Sequence, residues 1–111
     1  MRTAMILSVV YIPCPTPEVA SAVGRVLVKE KLAACVNILG PTLSLYKEDT
    51  LVETQEYVLL AKTGTDRLEV LTQRVLQLHP YDTPAILSWE AGGSAQFSDW
   101  VACALSKDCK E

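Results

Sequence analysis

The run Leu78-His79-Pro80-Tyr81-Asp82-Thr83-Pro84-Ala85-Ile86 limits the fold of this chain more than any other segment. A helical repeat leads into it and an apolar stretch with strand character leads out. Pro80 lacks a backbone N–H and clashes with the preceding turn, so a helix must end before it. Pro84 pushes its neighbour toward extended backbone. The apolar period therefore changes here from 3.6 to 2, and the chain's only histidine stands at the change.

The other elements read outward from that point. Met5 to Ile12 is almost continuously apolar and β-branched, as a buried central strand requires. Arg2 and the residues after it imitate a secretory signal. No small-residue cleavage pattern follows, and Pro13 and Pro15 interrupt the run, so the segment is expected to remain as a strand. Thr16-Pro17-Glu18 starts a helix, with a hydroxyl cap, a proline in the first turn and an acid at the positive end of the dipole. Val19, Ala22, Val23, Val26 and Leu27 form its apolar face, with Arg25, Lys29 and Glu30 opposite. Ala33 to Leu39 is a strand that Gly40-Pro41 bends or bulges. Alternation resumes through Leu43, Leu45 and Lys47, turns at Glu48-Asp49-Thr50, and returns from Leu51 to Thr63. Thr65-Asp66 opens a second helix whose inner stripe is Leu68, Leu71, Val75, Leu76 and His79. Thr83 to Glu90 is the fourth strand. After the Gly92-Gly93 turn, Ser94 caps a last helix with Phe97, Trp100, Val101, Ala104 and Leu105 inward, and a frayed tail is expected from Lys107 to Glu111.

This order predicts an α+β, ferredoxin-like βαββαβ plan with an added C-terminal helix and an antiparallel sheet. At 111 residues the chain is expected to be a single domain, 1–111. Helices would cover one sheet face. Yet Val9, Tyr11, Val36, Ile38, Tyr57, Leu59 and Ile86 suggest strands that are apolar on both, and a bare apolar face is unstable in water. The expectation is a symmetric oligomer packed through its sheets.

A net charge of −3 argues against a nucleic-acid partner, because phosphate contacts need a basic face. No run approaches the roughly 20 apolar residues of a membrane span. Cys14, Cys35, Cys103 and Cys109 show no CxxC spacing, so reduced thiols in a cytoplasmic protein are expected. No nucleophile elbow, P-loop, GxGxxG or HExxH pattern occurs, so no enzyme is expected.

Three ordered motifs carry a resemblance: Lys31-Leu32-Ala33-Ala34-Cys35-Val36-Asn37-Ile38, then Lys62-Thr63, then the histidine run above. Together they resemble the CutA divalent-cation-tolerance family over nearly the whole chain. The resemblance implies a homotrimer with sheets facing inward and the hairpin from Leu43 to Ala61 reaching a neighbour. It also implies a copper site at a histidine of this motif and a cysteine near the end of the first strand, which here are His79 and Cys14. Leu78 stands where some relatives carry a second histidine, so copper, or another divalent cation, would bind weakly. Lys47-Glu48-Asp49 replaces the tryptophan and glycine usual in relatives.

Two roles fit His79 on its chemistry: metal ligand, or helix-terminal residue bonding a last-turn carbonyl. A thiolate with an imidazole suits Cu(I), and less selectively zinc or Cu(II). Glu56 and Lys62 are separated by an even number of residues and share one strand face, where they would pair across subunits or line a cleft. Cys35 and Asn37 share a face of the second strand. Tyr46 and Tyr81 are candidate cleft walls or packing residues. Beside the metal reading stand two others: a trimeric regulator resembling the PII signalling proteins, with Lys62 drawing an anionic ligand, and a structural trimer anchoring a partner.

Overall fold

A computed structural model describes residues 5–107; Cys109 and the tail after Lys107 lie outside them. The elements are β1 (Leu7–Cys14), α1 (Pro17–Lys29), β2 (Cys35–Lys47), β3 (Leu51–Gly64), a 3-10 turn (Thr65–Arg67), α2 (Leu68–Leu78), β4 (Leu87–Ala91) and α3 (Ala95–Leu105). The strands form one sheet in the order β2-β3-β1-β4, with every neighbour antiparallel. This is the ferredoxin-like α+β plan with its extra C-terminal helix.

Local chemistry sets most boundaries. The Thr16 hydroxyl accepts the Val19 amide at the start of α1, and Ser94 does the same for Phe97 in α3. The β2 ladder slips between Leu39 and Thr42, around Gly40-Pro41. A Cβ on Gly40 would lie 2.7 Å from Tyr57 Cδ2, and its φ of +152° suits only glycine.

The strand ends shift from expectation, most of all in β1 and β4. β1 begins at Leu7 and runs on to Cys14, because β3 is long enough to pair with it as far as Tyr57. β4 starts only at Leu87, opposite Tyr11, since the segment holding Pro84 does not join the ladder.

The main core lies between the sheet and the first two helices. Val10, Ile12, Cys14, Leu59 and Ala61 meet Ala20, Val23, Leu27, Leu71 and Val75. Gly24 lets α1 approach closely: a Cβ there would lie 3.0 Å from Val36 Cγ2 and 3.1 Å from Leu59 Cδ1. A second cluster of Leu7, Ala34, Val101 and Leu105 packs α3 at the other end of β1. Arg67 and Lys31 hold α3 there, donating to the Leu105 carbonyl at 3.0 Å and the Ser106 carbonyl at 2.7 Å.

Several side chains face differently from expectation. Ala22 and Leu76 are exposed, because the buried stripes centre on Ala20, Val23, Gly24 and Leu27 in α1 and on Leu71 and Val75 in α2. Phe97 and Trp100 stack on each other at 5.8 Å and remain exposed, since α3 turns Ser98, Val101 and Leu105 inward. Cys103 is disulfide-bonded, against the expectation of reduced thiols, whereas Cys14 and Cys35 are free. A disulfide needs two cysteines close in space with converging Cβ vectors, a condition that sequence spacing does not report.

The residues expected to make both sheet faces apolar divide between the two sides. Register sets Val36 opposite Ala61, Ile38 opposite Leu59 and Tyr57 opposite Cys14, all on the helix side, and Ile86 packs against the main core. The uncovered side presents Val9, Tyr11, Leu39, Leu60, Leu87 and Trp89. The β2–β3 hairpin extends this face and gives the chain principal extents of 55 × 24 × 22 Å. Beyond the helices it exposes a leucine row, with Leu43 70% and Leu51 66% accessible and Leu45 between them.

Candidate functional site at the Pro13 end of the sheet

The site begins where α2 stops. Because Pro80 cannot continue the helix, His79 takes extended backbone with ψ of 136°, and its amide closes the last turn on the Val75 carbonyl. The ring then turns toward the end of β1. It is only 7% exposed. Its Nε2 lies 2.8 Å from the Pro13 carbonyl and its Nδ1 3.2 Å from the Tyr81 amide. A carbonyl only accepts and an amide N–H only donates, so Nε2 carries the proton and Nδ1 offers its lone pair. The ring thus bonds a carbonyl of β1 and not a last-turn carbonyl of α2; the His79 backbone amide closes the helix, and Nδ1 keeps a lone pair toward the Tyr81 amide.

Cys14 follows Pro13 on the same strand. Its side chain is fully buried and its thiol donates weakly to the Ile12 carbonyl at 3.5 Å. Burial, and then the negative field of Glu56, push the thiol pKa up to about 11. The thiol stays protonated at neutral pH, and its stabilising contribution is complete below about 9 and fades as pH rises through 11. Alkylation of the native protein at pH 8 should leave Cys14 unmodified until denaturant is added. Rapid native modification at Cys14, read by peptide mass, would contradict this environment.

Above the histidine lies a cleft of about 490 Å³. Pro13, Tyr46, Glu48, Glu56, Tyr81, Asp82, Thr83 and Ala85 line it. The Tyr81 hydroxyl donates to Glu56 Oε2 at 2.8 Å, and the Tyr81 ring sits 4.7 Å from that of His79. Desolvation first, then the hydrogen bond and charge of Glu56, push the Tyr81 pKa up to about 12. Three carboxylates and no cationic side chain line the cleft. The field favours cations and opposes anions.

The six residues expected around a cleft divide into two groups within one protomer. Tyr46, Glu56 and Tyr81 meet here, beside His79 and Cys14. Cys35, Asn37 and Lys62 stand farther along the open face, where Cys35 is opposite Lys62 and the Lys62 ammonium donates to Asn37 Oδ1. Glu56 and Lys62 share a strand face as expected, six positions and roughly 20 Å apart. Among the described residues no three of His, Cys, Asp and Glu are grouped closely enough to hold an ion. Sequence reasoning did not place Glu48, Asp82 and Thr83 at the cleft. The only available signal was that polar residues on the hairpin and in the Pro-rich run had no core to fill.

The comparisons with known proteins agree on one lineage. The family described as CutA1 divalent ion tolerance protein matches residues 8–104. The divalent-cation tolerance protein CutA of Thermus thermophilus is 43% identical over 95 residues, spanning 84% of this chain and 92% of that one. The CutA1 crystal structure from Ehrlichia chaffeensis superposes with a TM-score of 0.89 at 31% identity, over 94% of this chain and 99% of that one. The Oryza sativa CutA1 structure gives 0.90 at 29% identity, over 96% of this chain and 100% of that one.

Proposed function

Because this chain belongs to the CutA1 divalent ion tolerance family, we propose that it acts in divalent-cation tolerance as a homotrimer that binds copper weakly through His79 and Cys14. One observation carries the copper assignment. The His79 Nε2–H is held by the Pro13 carbonyl, while the Nδ1 lone pair is held only by a long amide contact of 3.2 Å. Metal-binding imidazoles characteristically donate their other N–H to a carbonyl or carboxylate, which fixes ring and tautomer. Cys14 supplies a soft donor on the adjoining residue of the strand, and imidazole with thiolate suits Cu(I). The acid-lined cleft raises the local cation concentration, and zinc and Cu(II) are weaker alternatives. Two ligands from each chain, one of them a thiol that must lose its proton, keep the site weak.

The homotrimer is supported by the uncovered apolar sheet face and by the leucine row on the hairpin. The free thiols of Cys14 and Cys35 favour a cytoplasmic location, against which the disulfide of Cys103 weighs. No helix among the described residues is long and apolar enough to cross a membrane. The anionic-ligand reading is less well supported, since Asn37 already holds Lys62 and the cleft carries the opposite field.

Anaerobic calorimetry tests the copper assignment. Wild-type protein should bind Cu(I) with a Kd of about 1 μM to 1 mM. Affinity should rise up to about tenfold per pH unit between pH 6 and 8, because one thiol proton leaves. The His79→Ala, Cys14→Ala double variant should lose this binding. Identical titrations for the two proteins would remove the copper site.

A further inference from the structure

We propose that Tyr81 and Glu56 form a latch over His79, so that cation capture and latch closure compete for the same imidazole nitrogen. This rests on the copper reading above and adds the regulation of that site. The Tyr81 backbone amide holds the Nδ1 lone pair of His79 at 3.2 Å. The Tyr81 side chain is anchored separately, its hydroxyl donating to Glu56 Oε2 at 2.8 Å. One residue thus spans two elements. Its amide stands at the exit of α2, and its hydroxyl reaches β3, 25 positions away in sequence.

The two bonds of His79 differ in what they can give up. The Nε2–H bond to Pro13 at 2.8 Å orients the ring and can persist with a metal bound. The Nδ1 contact cannot, because an entering ion takes the electron pair that now accepts the Tyr81 N–H. That amide must move away, carrying the Tyr81 ring from its position 4.7 Å from the imidazole. The Glu56 hydrogen bond opposes this movement. Each ion captured therefore releases Tyr81, and each contact that holds Tyr81 weakens capture. Tyr81 and Glu56 are positioning residues here, acting on the ion through His79.

Substitution separates the latch from simple charge attraction. Tyr81→Phe keeps the ring and all three cleft carboxylates but removes the donor to Glu56. It should tighten Cu(I) binding by about threefold to tenfold, the weight of one hydrogen bond. Glu56→Gln keeps an acceptor for Tyr81 and removes a charge, so it should not tighten binding. Metal-free hydrogen exchange supplies a second readout, with the Tyr81 amide exchanging faster in Tyr81→Phe than in wild type. Unchanged or weaker Cu(I) binding by Tyr81→Phe, while His79→Ala abolishes binding, would overturn the latch and leave the copper site intact. Equal binding by wild type and His79→Ala would overturn the copper site itself, and with it the competition.

Discussion

Leu59→Ala should lower the free energy of unfolding by about 3–4 kcal/mol, within the range for leucine truncation in a core that cannot collapse. Leu59 is fully buried on the helix side of the sheet. It sits across from Ile12 on β1 and from Ile38 on β2, so it joins three strands. The space left by its side chain could be refilled only if α1 moved inward. Gly24 already brings that helix to its closest approach, with a Cβ at that position 3.0 Å from Val36 and 3.1 Å from Leu59 itself. The cavity should therefore persist. Urea unfolding at fixed protein concentration measures the loss, since the proposed assembly would contribute to apparent stability. A decrease below about 1 kcal/mol would mean that the core repacks freely.

On the proposed sheet-to-sheet assembly, Trp89→Glu should leave monomers at micromolar concentration where the unaltered chain associates. Trp89 lies on β4 opposite Val9 and is 49% exposed, in the midst of the open apolar face with Tyr11, Leu60 and Leu87. Closing copies around that face would bury an unpaired carboxylate in each, at several kcal/mol apiece. That penalty, repeated in every copy, opposes closure of the face. Sedimentation velocity reads the outcome directly, and far-UV circular dichroism verifies that the variant still folds. A wild-type chain that sediments as a folded monomer, or a variant that remains fully assembled, would end the proposal of sheet-to-sheet assembly.

The two substitutions distinguish the faces of one sheet, and that distinction was only partly legible in the residues. The alternation in β1 is plain, since Val10 and Ile12 go one way and Val9 and Tyr11 the other. Which residues of β2 share those faces depends on pairing register. Val36 and Ile38 look like candidates for the bare side but lie opposite Ala61 and Leu59, beneath the helices. Phe97 and Trp100 stay exposed for a related reason. A short helix rich in small and apolar residues has no single strong stripe, so its packing against Leu7 and Ala34 sets the inward face.

At the candidate site, the sequence marks His79 as the chain's only imidazole, at a helix end before a proline, where a structural role and a metal-ligand role both fit. The sequence offers Tyr46, Glu56, Tyr81, Cys35, Asn37 and Lys62 as members of one cleft, but the folded chain holds the last three away from the first three. A strand face extends about 3.3 Å per residue, so shared parity brings no two residues together by itself.

Element order, the α1 and α3 caps, the β2 irregularity and the break at Pro80 were determined by the sequence alone, because each follows from dihedral limits and hydrogen bonds between near neighbours. Only the tertiary structure decided which apolar residues stay uncovered, which carboxylates look into the cleft, and that His79 bonds both the Pro13 carbonyl and the Tyr81 amide. Those outcomes depend on strand register and helix seating, which sum many weak long-range contacts.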